Sequence, residues 1–347
     1  MSFATIAGEG PLRGLVVGAG TLGPHWAREL IERPDCELVG WVDQDPRRAR
    51  RHATTFGLAS LPTGSELDDM LDRLQPDFVV NVTPPDVHLP VTLAALDSGA
   101  AVLTEKPLAA TATEAATMVA AADRNERLVM VSQNRRYHPG LIAFRQAVEK
   151  LGPLTSLGCD FYIPHRGDPS VFVFSFAQPL LLDMAVHLFD AARAITGADP
   201  ISVYCESWQP DWSWFHGPAA AHAMFAMTGD LRFSFDGNWV ADGFRTSWTG
   251  TWRAIGRHGT ATWDGAVDVA VEVGPGAPPP VAQSIVAPSA DRFQGLTAAL
   301  EEFVTALRTG RIPQGECHDN IKSLAMCHAA VASASSGARV AVEPAGT

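Results

Sequence analysis

The sequence predicts an α/β protein, with a doubly wound parallel sheet in residues 1–135 and an α+β domain with a mostly antiparallel sheet in residues 136–347. Two observations predict this division. In the first part, short apolar runs alternate with longer helical patterns, as parallel βαβ units require. After about Pro139 the strand candidates become longer and alternate in polarity, and seven of the nine tryptophans fall between Trp208 and Trp263, as in an antiparallel sheet.

The individual elements follow in order along the chain. The strands predicted in the first part are Leu15–Val17, Leu38–Val42, Phe78–Val82, Ala101–Leu103 and Leu128–Ser132. The helices predicted between them are Thr21–Glu32, Pro46–Phe56, Val87–Ser98 and Thr113–Asn125. The second part is predicted to contain strands at Ala223–Met227, Leu231–Phe235 and Thr246–Arg253, and helices at Ala298–Arg308 and Asn320–Ser333. Right-handed crossovers between the parallel strands produce the doubly wound sheet.

The composition argues against several classes of protein. Hydrophobic residues make up 46% of the 347-residue chain, which is enough for a large core and argues against disorder. Asp and Glu number 38 against 26 Lys and Arg, and the resulting net charge of −12 argues against non-specific nucleic-acid binding. The most apolar stretch, Val171–Phe189, is interrupted by polar residues such as Asp183 and His187, so no membrane span is expected.

The cysteines and the start of the chain bear on compartment and metal binding. Five cysteines without CxxC spacing fit reduced thiols, and Met1–Gly14 lacks the pattern of a secretory signal, so a cytoplasmic protein is expected. Cys317-His318 and Cys327-His328 lack the spacing of a zinc site. Ten residues along a helix also put the two pairs about 80° out of register. No metal site is therefore expected.

A glycine-rich turn follows the first predicted strand and opens the first predicted helix. It contains Gly18, Gly20 and Gly23, with Thr21 and Leu22 between the last two glycines. Glycine lets backbone N–H groups approach a pyrophosphate closely, and the helix N-terminus adds favourable partial charge. Strand, glycines, helix, second strand and a terminal acid in this order predict a dinucleotide-binding site far more strongly than the glycines alone.

The acid is Asp43, which ends the second predicted strand 25 residues after Gly18. There a carboxylate can accept hydrogen bonds from the two adenosine ribose hydroxyls. Its charge would repel a 2′-phosphate, so NAD is favoured over NADP. Arg47 and Arg48 lie just beyond Asp43 and leave NADP open, although two solvated arginines at a helix start are an equal interpretation.

Three further residues suggest chemistry. Lys106 follows the strand at Ala101–Leu103, and ligands bind at the carboxyl ends of parallel strands. Asp183 and His187 are four residues apart, a spacing that puts both on one face of a helix, where a carboxylate can orient a histidine that takes a proton. A surface lysine and a hydrogen-bonded core histidine remain alternatives at this point, and Asp190 fits a structural carboxylate better.

A polar group after a predicted strand could also meet substrate. It comprises Tyr162, His165 and Arg166, and Arg166 suits an acidic or phosphorylated substrate. An ordinary exposed loop is an equally good interpretation.

Together these residues resemble the Gfo/Idh/MocA family of NAD(P)-dependent oxidoreductases, which includes glucose-fructose oxidoreductase and myo-inositol dehydrogenases. The resemblance extends from about Leu15 to Val342. The motifs that carry it are Val17–Gly23, Val82–His88, Glu105–Leu108, Gln133–Pro139, Asp183–His187 and Gly256–Gly259. It implies an N-terminal Rossmann domain and a C-terminal α+β domain whose large open sheet pairs with other subunits, giving a homodimer or homotetramer.

The resemblance also implies roles for individual residues. Lys106 would bind and orient the substrate hydroxyl, His187 would act as general base, and Asp183 would orient substrate or histidine. Three residues, Thr83, Pro84 and His88, would line the cofactor, with Glu105 beside it. Because the lysine and the histidine come from different domains, a cleft site is expected.

The sequence also departs from the family pattern. The glycine pair common before the aspartate is absent from Phe176–Leu180, and Ala185 replaces a glycine. These departures put the substrate's shape in doubt.

The sequence thus predicts an NAD-dependent dehydrogenase that acts on a secondary hydroxyl of a sugar, cyclitol or related polyol. Two alternatives stay open. Some relatives use NAD to cleave glycosidic bonds through transient oxidation, and others are NAD-sensing regulators without catalysis. Retention of Lys106, Asp183 and His187 argues against the regulator.

Overall fold

The computed structural model describes residues 3–167, 172–266, 268–274 and 295–343. The chain forms two compact units. Of the described residues, the first unit contains those up to Gln133 together with Leu296–Ile321, and the second contains those between Asn134 and Gly295 and those from Lys322 to Glu343. The division after Gln133 lies near the expected one after residue 135, but the segment Leu296–Ile321 does not follow the expected assignment to residues 136–347.

Packing explains why the segment Leu296–Ile321 belongs to the first unit. Phe303, in the returning segment, packs edge-on against Phe78, with ring centroids 5.5 Å apart. The backbone N–H of Ile6 donates to the carbonyl of Leu307 at 2.9 Å. The apolar face of this helix is therefore buried against the N-terminal part of the chain, a long-range contact that local sequence patterns do not encode.

The first unit is built on a six-stranded parallel sheet in the order β3-β2-β1-β4-β5-β6. Its strands are β1 (Leu12–Val17), β2 (Cys36–Val42), β3 (Thr63–Gly64), β4 (Phe78–Asn81), β5 (Ala101–Thr104) and β6 (Val129–Val131). Its helices are α1 (Gly23–Glu32), α2 (Pro46–Thr55), α3 (Leu67–Leu74), α4 (His88–Asp97), α5 (Ala112–Asn125) and α8 (Leu296–Thr309). The predicted doubly wound sheet is confirmed, and its order reverses between β1 and β4, where such sheets bind ligands.

Burial explains why these segments form strands. Every residue of β4 and of β5 is buried, as expected for strands covered by helices on both faces. The short β3 and α3 were not predicted. The eight residues of α3 bury only Met70 and Leu71, so their apolar signal is weak.

The second unit is built on an eight-stranded sheet in the order β13-β12-β11-β7-β10-β9-β8-β14. Its strands are β7 (Leu154–Tyr162), β8 (Pro200–Trp208), β9 (Ala220–Met227), β10 (Arg232–Asn238), β11 (Thr251–Gly256), β12 (Gly259–Trp263), β13 (Val269–Val273) and β14 (Val340–Ala341). Its helices are α6 (Pro139–Val148) and α7 (Ala185–Thr196), and α9 (Cys317–Ser336) passes from the first unit into the second. Only the β7–β10 pair is parallel among the pairs described, so the prediction of a mostly antiparallel sheet is confirmed.

One face of this sheet is buried and the other is exposed. In β10, buried Phe233 and Phe235 alternate with exposed Arg232 and Ser234. The buried face packs against residues of α6 and α7 in one hydrophobic core. This alternation is the period-2 pattern from which the strands were predicted.

The strand predicted at Thr246–Arg253 was wrong in its first half. β11 begins at Thr251, and Trp248 lies in the preceding loop with 38% of its surface exposed. Gly250 has φ +75°, and a Cβ there would lie 2.9 Å from the Cys159 sulfur. This glycine turn ends the loop, and the alternation of polar and aromatic residues before it does not reveal the turn.

Candidate active site

The glycine-rich loop joins β1 to α1, and its three glycines differ in their surroundings. Gly18 has φ +110°, and a Cβ there would lie 2.7 Å from the carbonyl oxygen of Val82. A Cβ on Gly23 would lie 2.4 Å from the carbonyl oxygen of Gly18. Gly20 is exposed, and its Cβ would meet no described atom within 4 Å. Packing within the chain therefore requires Gly18 and Gly23, whereas Gly20 leaves one side of the loop open to a ligand.

The start of α1 adds backbone donors to this loop. Leu22, the residue before the helix, is half-buried and makes no side-chain cap, and Thr21 is exposed. Helix N–H groups without a side-chain cap carry partial positive charge and suit a phosphate. Pro24 lies in the first turn, where its missing N–H removes no helical bond. The loop and helix start thus fit a pyrophosphate.

Asp43 lies directly after β2 and is 7% exposed. Its carboxylate accepts from the backbone N–H of Ala19 at 2.7 Å and from that of Asp45 at 2.9 Å. The guanidinium of Arg48 is 3.8 Å away, and Arg47 is exposed. A carboxylate has about four acceptor positions, so two remain for ribose hydroxyls. Asp43 therefore fixes the glycine loop and keeps the capacity to bind a sugar.

His88 is fully buried at the start of α4 and links two loops at the carboxyl edge of the sheet. Its Nε2 is 2.9 Å from the carbonyl oxygen of Thr83, after β4, and its Nδ1 is 2.8 Å from that of Pro107, after β5. Burial lowers the pKa of His88, and the charge of Lys106 acts in the same direction, whereas the carbonyl oxygens favour protonation. His88 therefore connects the two loops. Its side chain is buried and is not exposed at the carboxyl edge of the sheet. Pro84, in the first of these loops, is exposed.

Glu105 and Lys106 follow β5 directly, and Glu105 is 8% exposed. Its carboxylate accepts from the indole N–H of Trp26 at 2.9 Å and from the backbone N–H of Lys106 at 3.2 Å. Burial raises the pKa of Glu105, against the opposing effects of Trp26 and the Lys106 charge. The bond to Trp26 connects the lysine's backbone to α1, the helix that follows the glycine loop. Sequence reasoning missed Trp26, because the contact spans 79 residues.

Asp183 and His187 lie on one helical segment of the second unit, and both are half-buried. Asp183 falls in a π-helical turn, Leu180–Met184, which runs directly into α7. The N–H of Ala185 donates to the carbonyl of Leu180, five residues back. The expectation of a regular helix across both residues is therefore corrected: the first of them lies in a wider turn. Such π-turns occur frequently at functional sites.

A buried ion pair supports this helix from one side. The guanidinium of Arg136 binds both carboxylate oxygens of Asp190, each at 2.7 Å, and the Ser323 hydroxyl donates to Asp190 at 2.7 Å. Asp190 lies three residues after His187, so the pair fixes the helix close to that histidine. The interpretation of Asp190 as a structural carboxylate agrees with these contacts.

Arg135 is a functional candidate that sequence reasoning missed. One of its N–H groups contacts the Met184 sulfur at 3.6 Å, within the π-helical turn. Burial lowers the pKa of Arg135 to about 9, against the opposing charge of Asp183. The charge of Asp183 therefore acts on this guanidinium, which lies beside the π-helical turn that contains Asp183. Arg135 and Arg136 are adjacent in the sequence, and nothing in the sequence indicates which of the two lies near Asp183.

The other expected substrate residues lie at the end of β7 and beyond. Tyr162 is half-buried, and burial and its hydrogen bond to Asp236 raise its pKa. His165 stacks against Phe174 and against Trp239, with ring centroids 5.6 and 4.9 Å away.

Arg166 is exposed, forms an ion pair with Asp242 at 2.6 Å and covers the ring of Trp214. In the structure, therefore, the charge of Arg166 is already paired.

Comparison with known proteins agrees with these features. Residues 12–133 match the model of an oxidoreductase family with an NAD-binding Rossmann fold, and residues 143–262 match the GFO/IDH/MocA C-terminal domain. The chain belongs to this family. It is therefore an oxidoreductase, and its first unit carries the NAD-binding Rossmann fold. Within the described residues, no helix is both long and apolar enough to cross a membrane.

Individual relatives are distant in sequence but similar along most of their length. The chain is 28% identical to inositol 2-dehydrogenase 4 of Saccharopolyspora erythraea, over 96% of both chains. It is 25% identical to D-apiose dehydrogenase of Paraburkholderia graminis, over 94% of this chain and 89% of that one. An Agrobacterium radiobacter oxidoreductase solved with NAD+, L-tartaric acid and magnesium has a TM-score of 0.86 at 18% identity, over 95% and 98% of the two chains. At that identity the structural match shows the fold alone.

Proposed function

We propose that this protein is a dehydrogenase that oxidises a secondary hydroxyl of a sugar, cyclitol or related polyol with NAD. One observation carries the proposal. Lys106 follows β5 at the carboxyl edge of the NAD-binding sheet. Its backbone N–H donates to the carboxylate of buried Glu105, and the carbonyl of the next residue, Pro107, is hydrogen-bonded to His88. A lysine needed only for solubility would not require two buried polar groups to fix its loop.

The proposed reaction divides between Lys106, Asp183 and His187. The ammonium of Lys106 donates a hydrogen bond to the reacting oxygen and stabilises the negative charge that develops there. The imidazole of His187 takes the hydroxyl proton, and Asp183 accepts a hydrogen bond from substrate or histidine. Bound NAD supplies the hydride acceptor, so the carbinol loses one hydride and one proton.

The residues proposed to hold NAD belong to the first unit. Gly18, Gly20 and Gly23, with Thr21 and Leu22, form the pyrophosphate loop described above. Asp43 binds the adenosine ribose and repels a 2′-phosphate, which favours NAD, although Arg48 lies 3.8 Å away. The loop containing Thr83 and Pro84 lies after β4, on the other side of the point where the strand order reverses.

The substrate class rests on the relatives. Two proteins similar over most of this chain are named for inositol and for D-apiose. A polyol or sugar ring is therefore the best starting point for a screen. The screen measures the absorbance of reduced nicotinamide with a panel of inositols, aldoses, alditols and their acids. We expect at least one of these compounds to be oxidised. NAD and NADP are compared in parallel. No turnover of any member with either cofactor contradicts the proposal.

We also propose a homo-oligomer formed through the exposed face of the eight-stranded sheet. Met224 on β9 and Ile255 on β11 are 44% and 41% exposed on that face. Exposed apolar side chains on a broad sheet favour association. Light scattering should give a dimer or tetramer, and Met224→Lys combined with Ile255→Lys should shift it toward the monomer. A monomeric parent protein contradicts this proposal.

A further inference from the structure

Three consecutive side chains converge at the start of α9 and take no part in the proposed reaction. Glu316 Oε1 is 2.9 Å from His318 Nδ1 and 3.0 Å from the sulfur of Cys317. The sulfur is 3.4 Å from the same Nδ1. On the outer side, His318 Nε2 is 3.1 Å from a carboxylate oxygen of Asp123 on α5. An oxygen, a sulfur and a nitrogen thus form a small triangle within the first unit.

The dimensions of this triangle are close to those of a zinc site. Ligands about 2.0–2.3 Å from a tetrahedral Zn²⁺ lie roughly 3.3–3.6 Å from one another. The three donor atoms here are 2.9–3.4 Å apart, so an ion would need to spread them by only a few tenths of an ångström. The mixture of thiolate, imidazole and carboxylate suits zinc and similar transition metals and does not suit Ca²⁺ or Mg²⁺.

The geometry points to a zinc-class metal site formed by Glu316, Cys317 and His318 Nδ1, with Asp123 orienting the imidazole. A carboxylate on the outer ring nitrogen fixes the tautomer of a metal-binding histidine and strengthens it as a ligand. A fourth position remains for water. This inference reverses the sequence expectation of no metal, which considered only the spacing of Cys317-His318 relative to Cys327-His328.

The chain around the cluster is fixed before any ion binds. The N–H of Val131 donates to the carbonyl of Gly315 at 2.8 Å, and Met130 forms a β-bridge with Glu316. A Cβ on Gly315 would lie 2.3 Å from the carbonyl oxygen of Val131, so only glycine permits this approach to β6. These contacts hold the Glu316 backbone in place, and a site held by rigid elements loses little entropy when it binds.

Burial and access also agree with a metal. Glu316 is 4% exposed and Cys317 is completely buried, so a charge on either side chain needs a compensating cation. The side chain of His318 is 35% exposed, which gives an ion a route from solvent. Binding would displace the thiol proton of Cys317, because zinc binds the thiolate.

The same helix contains a matched control. Cys327-His328 repeats the dipeptide ten residues later, but Met326 replaces the preceding glutamate. The Cys327 thiol donates to the carbonyl of Ser323 at 3.6 Å, an ordinary helical contact. Among the residues that the structure describes, no cluster of metal-ligating groups includes this second dipeptide. Comparing the two dipeptides therefore separates a built site from the general affinity of Cys and His.

The test measures Zn²⁺ bound to the full-length protein after chelation, dialysis and re-addition of the metal. We expect about one zinc ion per chain in the parent and in Cys327→Ser/His328→Gln, and none in Cys317→Ser or His318→Gln. Asp123→Asn keeps all three ligands, and its zinc affinity should fall about 10–100-fold. Co²⁺ in place of Zn²⁺ should give a thiolate-to-metal absorption that Cys317→Ser abolishes.

Stability gives a second measurement. Zinc should raise the Tm of the parent and should leave that of His318→Gln unchanged, because only a bound ligand shifts the unfolding equilibrium. If His318→Gln does not fold, Asp123→Asn and the cobalt spectrum decide. Substoichiometric zinc in the parent, or equal zinc retention by the two cysteine variants, overturns the inference. The cluster would then act as a helix cap, in which the Glu316 carboxylate accepts from the His318 N–H at 3.0 Å.

Discussion

The two compact units hold their proposed functional residues in different ways. In the first unit, Asp43, Thr83 and Lys106 lie one to two residues beyond the ends of buried parallel strands. In the second unit, Asp183 and His187 depend on a π-helical turn and on a buried ion pair whose partners are 54 residues apart. The proposed residues of the first unit are therefore positioned largely by the ends of strands, and those of the second unit by long-range packing. Perturbing each support in turn tests this comparison.

The largest effect is expected at the ion pair of the second unit. Asp190→Ala leaves the guanidinium of Arg136 buried without its carboxylate, which should lower the free energy of unfolding by about 3–5 kcal/mol. Asp242→Ala is the matched control, because it breaks the exposed pair with Arg166 and should cost less than about 1 kcal/mol. Urea unfolding measures both. Equal losses would show that the Arg136–Asp190 pair does not support α7.

The next effect concerns the connection that His88 makes between two loops of the first unit. His88→Phe keeps an aromatic ring but removes the ring nitrogens that contact the carbonyls of Thr83 and Pro107. Because the neutral imidazole has one N–H, one donated hydrogen bond is lost, at a cost of about 1–3 kcal/mol. Because the second loop carries Lys106, kcat should fall more than the affinity for NAD. His258→Phe, in the exposed turn between β11 and β12, is the control and should change neither. Unchanged kcat in His88→Phe would show that the contacts of His88 do not position the loop that carries Lys106.

Two substitutions in the glycine loop should affect different properties, one the stability of the protein and the other its affinity for NAD. Gly18→Ala forces a side chain into positive φ and against the Val82 carbonyl, and should cost about 1–3 kcal/mol of stability. Gly20→Ala meets open space, so stability should stay within about 0.5 kcal/mol of the parent. NAD affinity should nevertheless fall, because the methyl group would occupy the approach of the pyrophosphate. Calorimetric titration with NAD checks this, and unchanged affinity in Gly20→Ala would contradict the assigned binding face.

The smallest expected effect is a dependence of stability on pH. Burial lowers the pKa values of His88, His138 and His328 from the ordinary 6.5. Below pH 6.5 the unfolded chain therefore binds more protons than the folded protein, and the free energy of unfolding falls as the pH drops. Each unit of pKa difference corresponds to about 1.4 kcal/mol. His88→Phe should show a shallower fall than the parent between pH 6.5 and 5, and an identical slope would contradict the assignment.

The sequence predicted the features that local patterns encode. The glycine loop, Asp43 and the position of Lys106 could be located because buried strands, glycines and an acid follow one another within a few dozen residues. The π-helical turn could not be found, since nothing in Leu180–Met184 distinguishes it from an ordinary helical turn. The bond from Trp26 to Glu105 and the cluster of Asp123 with His318 join residues 79 and 195 positions apart. Such contacts emerge only when the chain is folded.

The most direct test of the proposed reaction is the effect of Lys106→Ala on turnover and on NAD binding, measured with a substrate found in the screen. We expect kcat to fall about 10²–10³-fold, because a donor to the reacting oxygen is lost. The dissociation constant for NAD should change by no more than a few-fold, since the glycine loop and Asp43 are intact. Unchanged kcat, or a loss of activity explained entirely by lost NAD binding, would contradict the assignment of Lys106 to the chemical step.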